Sequence, residues 1–160
     1  MLAGLDPGAK GAIAWLTDTG LLIEVRDLPV QKVGSRTELL PAAFAAMLRE
    51  PGRMPGHVFL ERVASRPGEG GAASFSFGCG YGMLQGVLAA LGVPMTLVTP
   101  AKWKGNLHVP ADKGAARLRA CQLWPGAAGA FKRAKDDGRA EAAMIGLYGY
   151  GALHGVGRAA

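Results

Sequence analysis

The sequence predicts an α/β fold in which a mixed five-stranded sheet carries helices on both faces. The prediction depends on the order of segments along the 160-residue chain, which is three strands, a helix, a strand, a helix, a strand and further helices. With 49% hydrophobic and 19% charged residues, the composition is typical of a globular protein and excludes a largely disordered one. We expect one domain over 1–150 and a C-terminal tail over 151–160.

The strands are predicted from short apolar runs bounded by turn residues. Runs at 2–5 and 10–16 surround an Asp-Pro-Gly turn, and a third run at 21–30 completes a three-stranded meander. The segment HVFLE at 57–61 is almost fully apolar and ends in a carboxylate, which is typical of a buried strand. The segment PMTLVTP at 94–100 predicts the fifth strand.

The helices are predicted from amphipathic or small-residue runs. Ser35 and Glu38 have the spacing of a capping box ahead of LLPAAFAAMLRE, a helix expected to end at Pro51. Pro41 could delay the start of this helix. A glycine-rich helix follows over 72–91, and a basic stretch leads into a helix that ends before Pro125. The segment DDGRAEAAMIGLYGYGAL predicts the last helix.

The sequence excludes several protein classes. No stretch approaches the roughly 18 apolar residues of a membrane span, and the N-terminus lacks the pattern of a signal peptide, so we expect a cytoplasmic protein. Cys79 and Cys121 lack the spacing of a zinc site or a disulfide framework, and we expect both to be buried. No Walker-type phosphate loop is present, so no nucleotide cofactor is expected.

Acidic residues recur where predicted elements begin or end. Asp6 ends the first strand, Glu61 ends the strand after the first helix, and both strand ends open on one edge of a parallel sheet. Asp137 and Glu141 stand four apart at the start of the last helix and so share a face. Any one of these acids could cap a turn or helix, but together they predict an all-oxygen site for Mg²⁺ or Mn²⁺.

Five segments, in order along nearly the whole chain, resemble the RuvC-like Holliday junction resolvases of bacteriophages and prophages, within the ribonuclease H-like superfamily. They are GLDPGAKGAIA, VFLERV, SFGCGYGMLQGVLAALG, VTPAKWK and KDDGRAEAAMIGLYG. The resemblance implies a ribonuclease H-like fold and a homodimer in a bacterial host or phage-infected cell. It also implies that each subunit uses two Mg²⁺ or Mn²⁺ ions to cut a phosphodiester near a four-way DNA junction.

The resemblance assigns the first two metal ligands to Asp6 and Glu61. The last helix departs from the cellular pattern of two aspartates three apart, because the residue three before Glu141 is Gly138. The phage-type variant pairs Asp137 with Glu141 one turn later. The neighbouring Asp136 is treated as a cap.

The net charge of +6 favours a polyanionic partner. Basic residues cluster after Glu61, between the fifth strand and the next helix, and around the last acids, where they would neutralise phosphates. The resemblance favours four DNA contacts among them and the clusters supply three more: Arg62, Arg66, Lys104 and Lys113, then Lys102, Arg117 and Arg139.

The helix over 72–91 carries Gly78, Gly82 and Gly86 on one face. Three helix-interior glycines cost roughly 3 kcal/mol against alanine, which predicts a close approach of this helix to the sheet or to its twin across a two-fold axis. Phe75 or Phe77 could wedge between bases, although helical spacing favours a core role for them. Trp103, beside two lysines, is predicted to pack rather than to stack on DNA.

Two other functions fit parts of the sequence. A non-catalytic DNA-junction-binding protein would keep the basic clusters without needing the acids, and a ribonuclease H-like enzyme would cut another nucleic acid such as an RNA:DNA hybrid. An ATP-binding fold of the actin and sugar-kinase type also begins with an Asp-Gly turn. It needs a second domain that 160 residues cannot supply.

Overall fold

A mixed five-stranded sheet forms the centre of the protein, as the sequence predicts. The computed structural model describes residues 1–8, 10–34, 36–64, 70–112 and 114–155. In the sheet, strands lie in the order β3-β2-β1-β6-β7; the first three form the antiparallel meander, and β1, β6 and β7 are parallel. The strands are β1 Leu2–Asp6, β2 Ala12–Leu16, β3 Leu22–Asp27, β4 Val30–Val33, β5 Arg36–Leu39, β6 Val58–Glu61 and β7 Met95–Val98.

Helices cover both faces of the sheet, which confirms the predicted layers. The helices are α1 Pro41–Arg49, α2 Gly71–Ala90, α3 Pro100–Asn106, α4 Ala115–Leu123 and α5 Asp137–His154. Helices α1 and α2 pack on one face, whereas α3, α4 and α5 pack on the other. Helix α5 continues four residues into the segment expected as a tail. Within the described residues, no helix has the length and apolarity required to cross a bilayer.

Strand alternation divides the core between these two layers. In β1, Ala3 and Leu5 face the α1 and α2 layer, while Leu2 belongs to the opposite cluster with α5. Gly4 lies on that same α5 side, where a Cβ would collide with the backbone of Ala142 and Gly146. Glycine is required here because α5 lies directly on the strand. Asp6, two residues after Gly4 in the same strand, lies on the same side of the sheet.

Residues 30–39 differ from the prediction. Glu38 does not form a capping box, because it lies in β5 and pairs with Gln31 across the β4–β5 hairpin. Ser35, the other half of that predicted box, lies outside the described residues. Helix α1 begins at Pro41, the late start that this proline allows, and the side chain of Leu40 before it makes no cap hydrogen bond. Hydrogen bonds across the β4–β5 hairpin pair the backbone N–H and C=O groups of this segment. Proline at the first helical position favours the start of α1.

Helix α2 presents an open face. Leu84 and Leu88 are buried in the cluster shared with α1, but a Cβ at Gly78, Gly82 or Gly86 would meet nothing within 4 Å. The predicted close approach at these glycines is therefore not made to the described part of this chain. On a neighbouring stripe, Phe75 is 73% exposed and Met83 is 44% exposed, so a core role is wrong for Phe75.

The two cysteines differ in their surroundings. Cys79 is exposed on α2, so the prediction that both cysteines are buried is wrong for this residue. Cys121 is half-buried, and its Sγ lies 3.8 Å from the carbonyl oxygen of Ala128. Cys79 lies on the open side of α2 together with Phe75 and Met83, which are also exposed.

We expect Gly4→Ala to lower the free energy of unfolding by about 3 kcal/mol or more, because its Cβ meets backbone that cannot rotate away. Denaturant unfolding followed by circular dichroism measures this loss. Gly105→Ala is the matched control: it lies in α3, where a Cβ meets nothing within 4 Å. That control should be neutral or up to about 1 kcal/mol more stable. Equal effects at both positions would contradict the close packing of α5 on β1.

Candidate functional site

Two acids lie side by side at one edge of the sheet. Parallel strands β1 and β6 pair Leu5 with Leu60, so the next step in register places Asp6 beside Glu61. Both residues end their strands on the α5 side of the sheet. Glu61 is only 9% exposed, and Asp6 is partly buried. The predicted convergence of these two strand ends is therefore present.

Helix α5 brings a third acid to this edge. Gly138 in its first turn packs against the β1–β2 turn, where a Cβ would collide with the carbonyl oxygen of Lys10 and lie 2.8 Å from Asp6 Oδ2. Glu141, one turn further on, interacts electrostatically with Asp6. Gly138, three residues before Glu141, therefore faces Asp6. The backbone of Lys10 occupies the space that a side chain at this position would need.

Asp6 is a buried carboxyl that lies beside two further acids. Burial, followed by the charges of Glu61 and Glu141, raises the pKa of Asp6 from 3.8 to about 8. The backbone N–H of Gly8 and the ammonium of Lys104 act in the opposite direction but are weaker. In this arrangement the carboxylates lack sufficient positive charge, which is the condition that a bound cation would relieve.

Helix α3 supplies the partners of two of these acids. The indole Nε1 of Trp103 donates a hydrogen bond of 2.8 Å to Oε1 of Glu61, and both residues are buried. Nζ of Lys104 lies 3.0 Å from Oε1 of Glu141. Trp103 packs in the core, as predicted, but its hydrogen bond was not anticipated. The sequence does carry a signal for this bond. A buried glutamate needs a hydrogen-bond donor, and a buried tryptophan needs an acceptor for its indole N–H.

Asp137 and Asp136 lie at the same helix start but have other partners. Asp137 accepts a hydrogen bond of 2.5 Å from Nε of Arg117, and its side chain is 37% exposed. Asp136 is 2% exposed at its side chain and accepts from the backbone N–H and guanidinium of Arg133, which holds the 3₁₀ turn before α5. The structure thus gathers Asp6, Glu61 and Glu141, and engages Asp137 with Arg117.

The donor set suits a hard divalent cation because it consists of carboxylate oxygens. In the part of the chain that the structure describes, no three His, Cys, Asp or Glu side chains form a ready-made metal site. The charges of Glu61 and Glu141 nevertheless both act on the carboxyl of Asp6, after its burial, which has the larger effect on its pKa. An ion here would draw the carboxylates together and compete with Lys104 for Glu141.

The basic residues predicted to bind DNA fall into three groups. Arg62, the residue after Glu61, and Lys102, the residue before Trp103, are exposed. Lys104, Arg117 and Arg139 are engaged within the protein; the Arg139 guanidinium makes two hydrogen bonds, of 2.5 and 2.6 Å, to Asp27 of β3. Two further predicted contacts lie outside the described residues, and they are Arg66 and Lys113.

Comparison with curated proteins finds a Holliday junction resolvase that is similar to this chain. The chain is 29% identical over 125 residues to a chloroplastic Holliday junction resolvase, MOC1, of Chlamydomonas reinhardtii. The match covers 75% of this chain but only 14% of that protein. No family profile matches the chain.

Solved structures share the fold over nearly the full chain. Thermus thermophilus RuvC in complex with a Holliday junction substrate has a TM-score of 0.58 and 18% identity, covering 97% of this chain and 96% of that one. A second Thermus thermophilus RuvC structure has a TM-score of 0.56 and 20% identity over the same shares. The predicted α/β fold of the RuvC type is thereby confirmed.

We expect the stability of the metal-free protein to fall as pH rises from about 4 to about 8. Because the pKa of Asp6 is raised in the folded state, the folded protein keeps a proton that the unfolded chain releases in this range. The slope from this one group is at most about 1.4 kcal/mol per pH unit. Thermal unfolding in EDTA across this range measures it.

Asp6→Asn is the control for this pH dependence, since it removes the titrating group. The variant should lose most of the slope and should be more stable than the original protein at pH 8. The same slope in both proteins would show that Asp6 is not the group responsible.

Proposed function

We propose that the protein is a metal-dependent, structure-selective endonuclease that nicks branched DNA and resolves Holliday junctions. The observation that carries the proposal is the convergence of Asp6, Glu61 and Glu141 at one sheet edge, where burial and the charges of the other two acids raise the pKa of Asp6. Support also comes from the chloroplastic resolvase and from the RuvC fold. The substrate class follows from these likenesses, and the chemistry follows from the acids.

In this proposal Asp6, Glu61, Asp137 and Glu141 hold two Mg²⁺ or Mn²⁺ ions per active site. When bound, such ions supply Lewis-acid assistance for hydrolysis of a phosphodiester. The side chains fix the position of the reacting phosphate at the edge of β1 and β6. For Asp137 to take part, its carboxylate must exchange the guanidinium of Arg117 for the metal site, because the two are paired at 2.5 Å.

The DNA backbone would approach this edge along the basic residues around it. Arg62 and Lys102 are exposed and ready to meet phosphates, whereas Lys104 and Arg117 would be released when their acids bind metal. Arg139 joins α5 to β3 through Asp27 and would contact DNA only by its remaining N–H groups. Arg66 and Lys113 stay predicted contacts.

We further propose a homodimer formed through the open side of α2. Phe75, Cys79 and Met83 are exposed there beside the uncovered glycines. The apolar surface continues into a groove of about 550 Å³ between α2 and the β4–β5 hairpin, which reaches Pro7 beside Asp6. A second copy would cover apolar area that a monomer leaves in water, and would place two active sites on one four-way junction.

The cleavage test uses synthetic four-way junctions with Mg²⁺ or Mn²⁺, beside duplex, single-stranded DNA and an RNA:DNA hybrid. We expect paired nicks in the junction, and at least about a hundredfold slower cutting by Asp6→Asn and Glu61→Gln, because loss of a metal ligand removes several kcal/mol of assistance. Junction binding by both variants should persist, since phosphate contacts remain. Asp18→Asn is the control, because this side chain is 79% exposed and lies away from the acids.

Each contrary result identifies another function. Junction binding without cutting by the unaltered protein would favour the non-catalytic junction-binding protein, and preferred cutting of the hybrid would favour the ribonuclease. Normal cutting by Asp6→Asn or Glu61→Gln would remove these residues from the active site. Neither alternative has a specific observation in its favour.

We expect Met83→Arg to convert the proposed dimer to a monomer, because it places a charge in the apolar surface of α2. Size-exclusion chromatography with light scattering measures the mass of each variant. Leu118→Arg is the matched control: Leu118 is 70% exposed but lies on α4. A monomeric unaltered protein, or dissociation by both variants alike, would contradict the assignment of α2 as the interface.

A further inference from the structure

We propose that Trp103 is a positioning residue that fixes the Glu61 carboxylate for metal binding. The inference deepens the proposed function and rests on it, because it concerns how one of the suggested ligands is held. It is carried by a single buried contact, the hydrogen bond of 2.8 Å from Trp103 Nε1 to Glu61 Oε1.

The fold gives this contact little freedom to change. Glu61 ends β6, and β7 pairs beside it with Val98 opposite Glu61. The chain passes from β7 directly into α3, whose second turn carries Trp103. Trp103 is fully buried, and its ring packs in the same cluster as Val98 and the helix α5 residues. A large ring held on all sides keeps its N–H aimed at one point.

The chemistry of the pair determines the direction of the hydrogen bond. An indole N–H only donates, so Oε1 of Glu61 must be the acceptor. A hydrogen bond to a carboxylate is charge-assisted and stronger than one to a neutral oxygen. Fixing one oxygen also fixes the plane of the carboxylate and therefore the direction of the other oxygen.

The next residue of α3 contacts another acid of the same group. Lys104 Nζ lies 3.0 Å from Glu141 Oε1 and 5.0 Å from the centre of the Trp103 ring. Two consecutive residues of one short helix therefore hold two of the three converging acids. The lysine pair is replaceable by a cation, whereas the neutral indole has no charge to compete with a metal and can keep its bond when one binds.

Trp15 offers an internal comparison for the simpler role of core packing. It too is fully buried, and its Nε1 also donates a hydrogen bond of 2.8 Å, but the acceptor is the carbonyl oxygen of Arg53. Trp15 lies in the cluster on the other face of the sheet. Replacing either indole by phenyl removes one N–H and part of a buried ring, and only Trp103→Phe releases a proposed ligand.

The test measures binding of Mn²⁺ alone to the full chain by calorimetry, with no DNA present. We expect Trp103→Phe to weaken Mn²⁺ binding by about tenfold or more, the usual effect of removing a partner of a metal ligand. Trp15→Phe should change it less than about twofold, while both variants lose similar thermal stability in EDTA. Equal Mn²⁺ affinity in Trp103→Phe and the unaltered protein would overturn the proposal.

A spectroscopic measurement keeps the proposal testable if Trp103→Phe does not fold. The indole N–H signals of the unaltered protein are recorded by ¹H–¹⁵N NMR, and Glu61→Gln should shift the Trp103 signal because its acceptor loses its charge. Paramagnetic Mn²⁺ should broaden the Trp103 signal before that of Trp15. No shift in Glu61→Gln, or equal broadening of both signals, would contradict the inference.

These outcomes separate this inference from the proposed function. An unaltered protein that binds no Mn²⁺ would overturn both the metal-dependent function and the role of Trp103. Mn²⁺ binding that survives Trp103→Phe but not Asp6→Asn would leave the function standing and remove only the positioning role.

Discussion

The close approach of helix α5 to strand β1 is the constraint on which the site depends. Small residues allow it: Gly4 on the strand meets the backbone of Ala142 and Gly146 on the helix, and a Cβ at Gly4 or Gly146 would collide with its neighbours. One turn before Ala142, the same contact places Gly138 against Asp6. This packing brings Glu141 to the end of β1. It also leaves no room for a side chain at Gly138, the position that faces Asp6.

The charge balance of the site follows from this packing. Three carboxylates are brought together where burial opposes their ionisation, and the pKa of Asp6 rises to about 8. Helix α3 offsets part of this with one cation and one neutral donor, Lys104 and Trp103. Because Lys104 is a cation and the indole of Trp103 is neutral, a metal ion can displace the lysine and leave the tryptophan in place. This asymmetry makes α3 part of the proposed metal centre.

The two faces of the sheet serve different purposes in this scheme. The α5 face holds the acids and is closely packed, whereas the opposite face ends in α2, whose outer side is exposed and apolar. The groove beside α2 reaches Pro7, next to Asp6, so the proposed dimer surface and the proposed active site are adjacent. Junction cleavage would then depend on both, because two strands of one four-way DNA must be cut.

The sequence by itself determined the strand order of the meander, the layers of helices and the acids at strand ends, because these follow from local periodicity and turn residues. It did not determine the β4–β5 hairpin, where ladder pairing replaced the capping box expected from Ser35 and Glu38. Only the tertiary structure decided the partners of each charge. Trp103 meets Glu61, Lys104 meets Glu141 and Arg117 meets Asp137 across 42, 37 and 20 positions of the chain. Such pairings depend on how helices pack on the sheet, which no local pattern encodes.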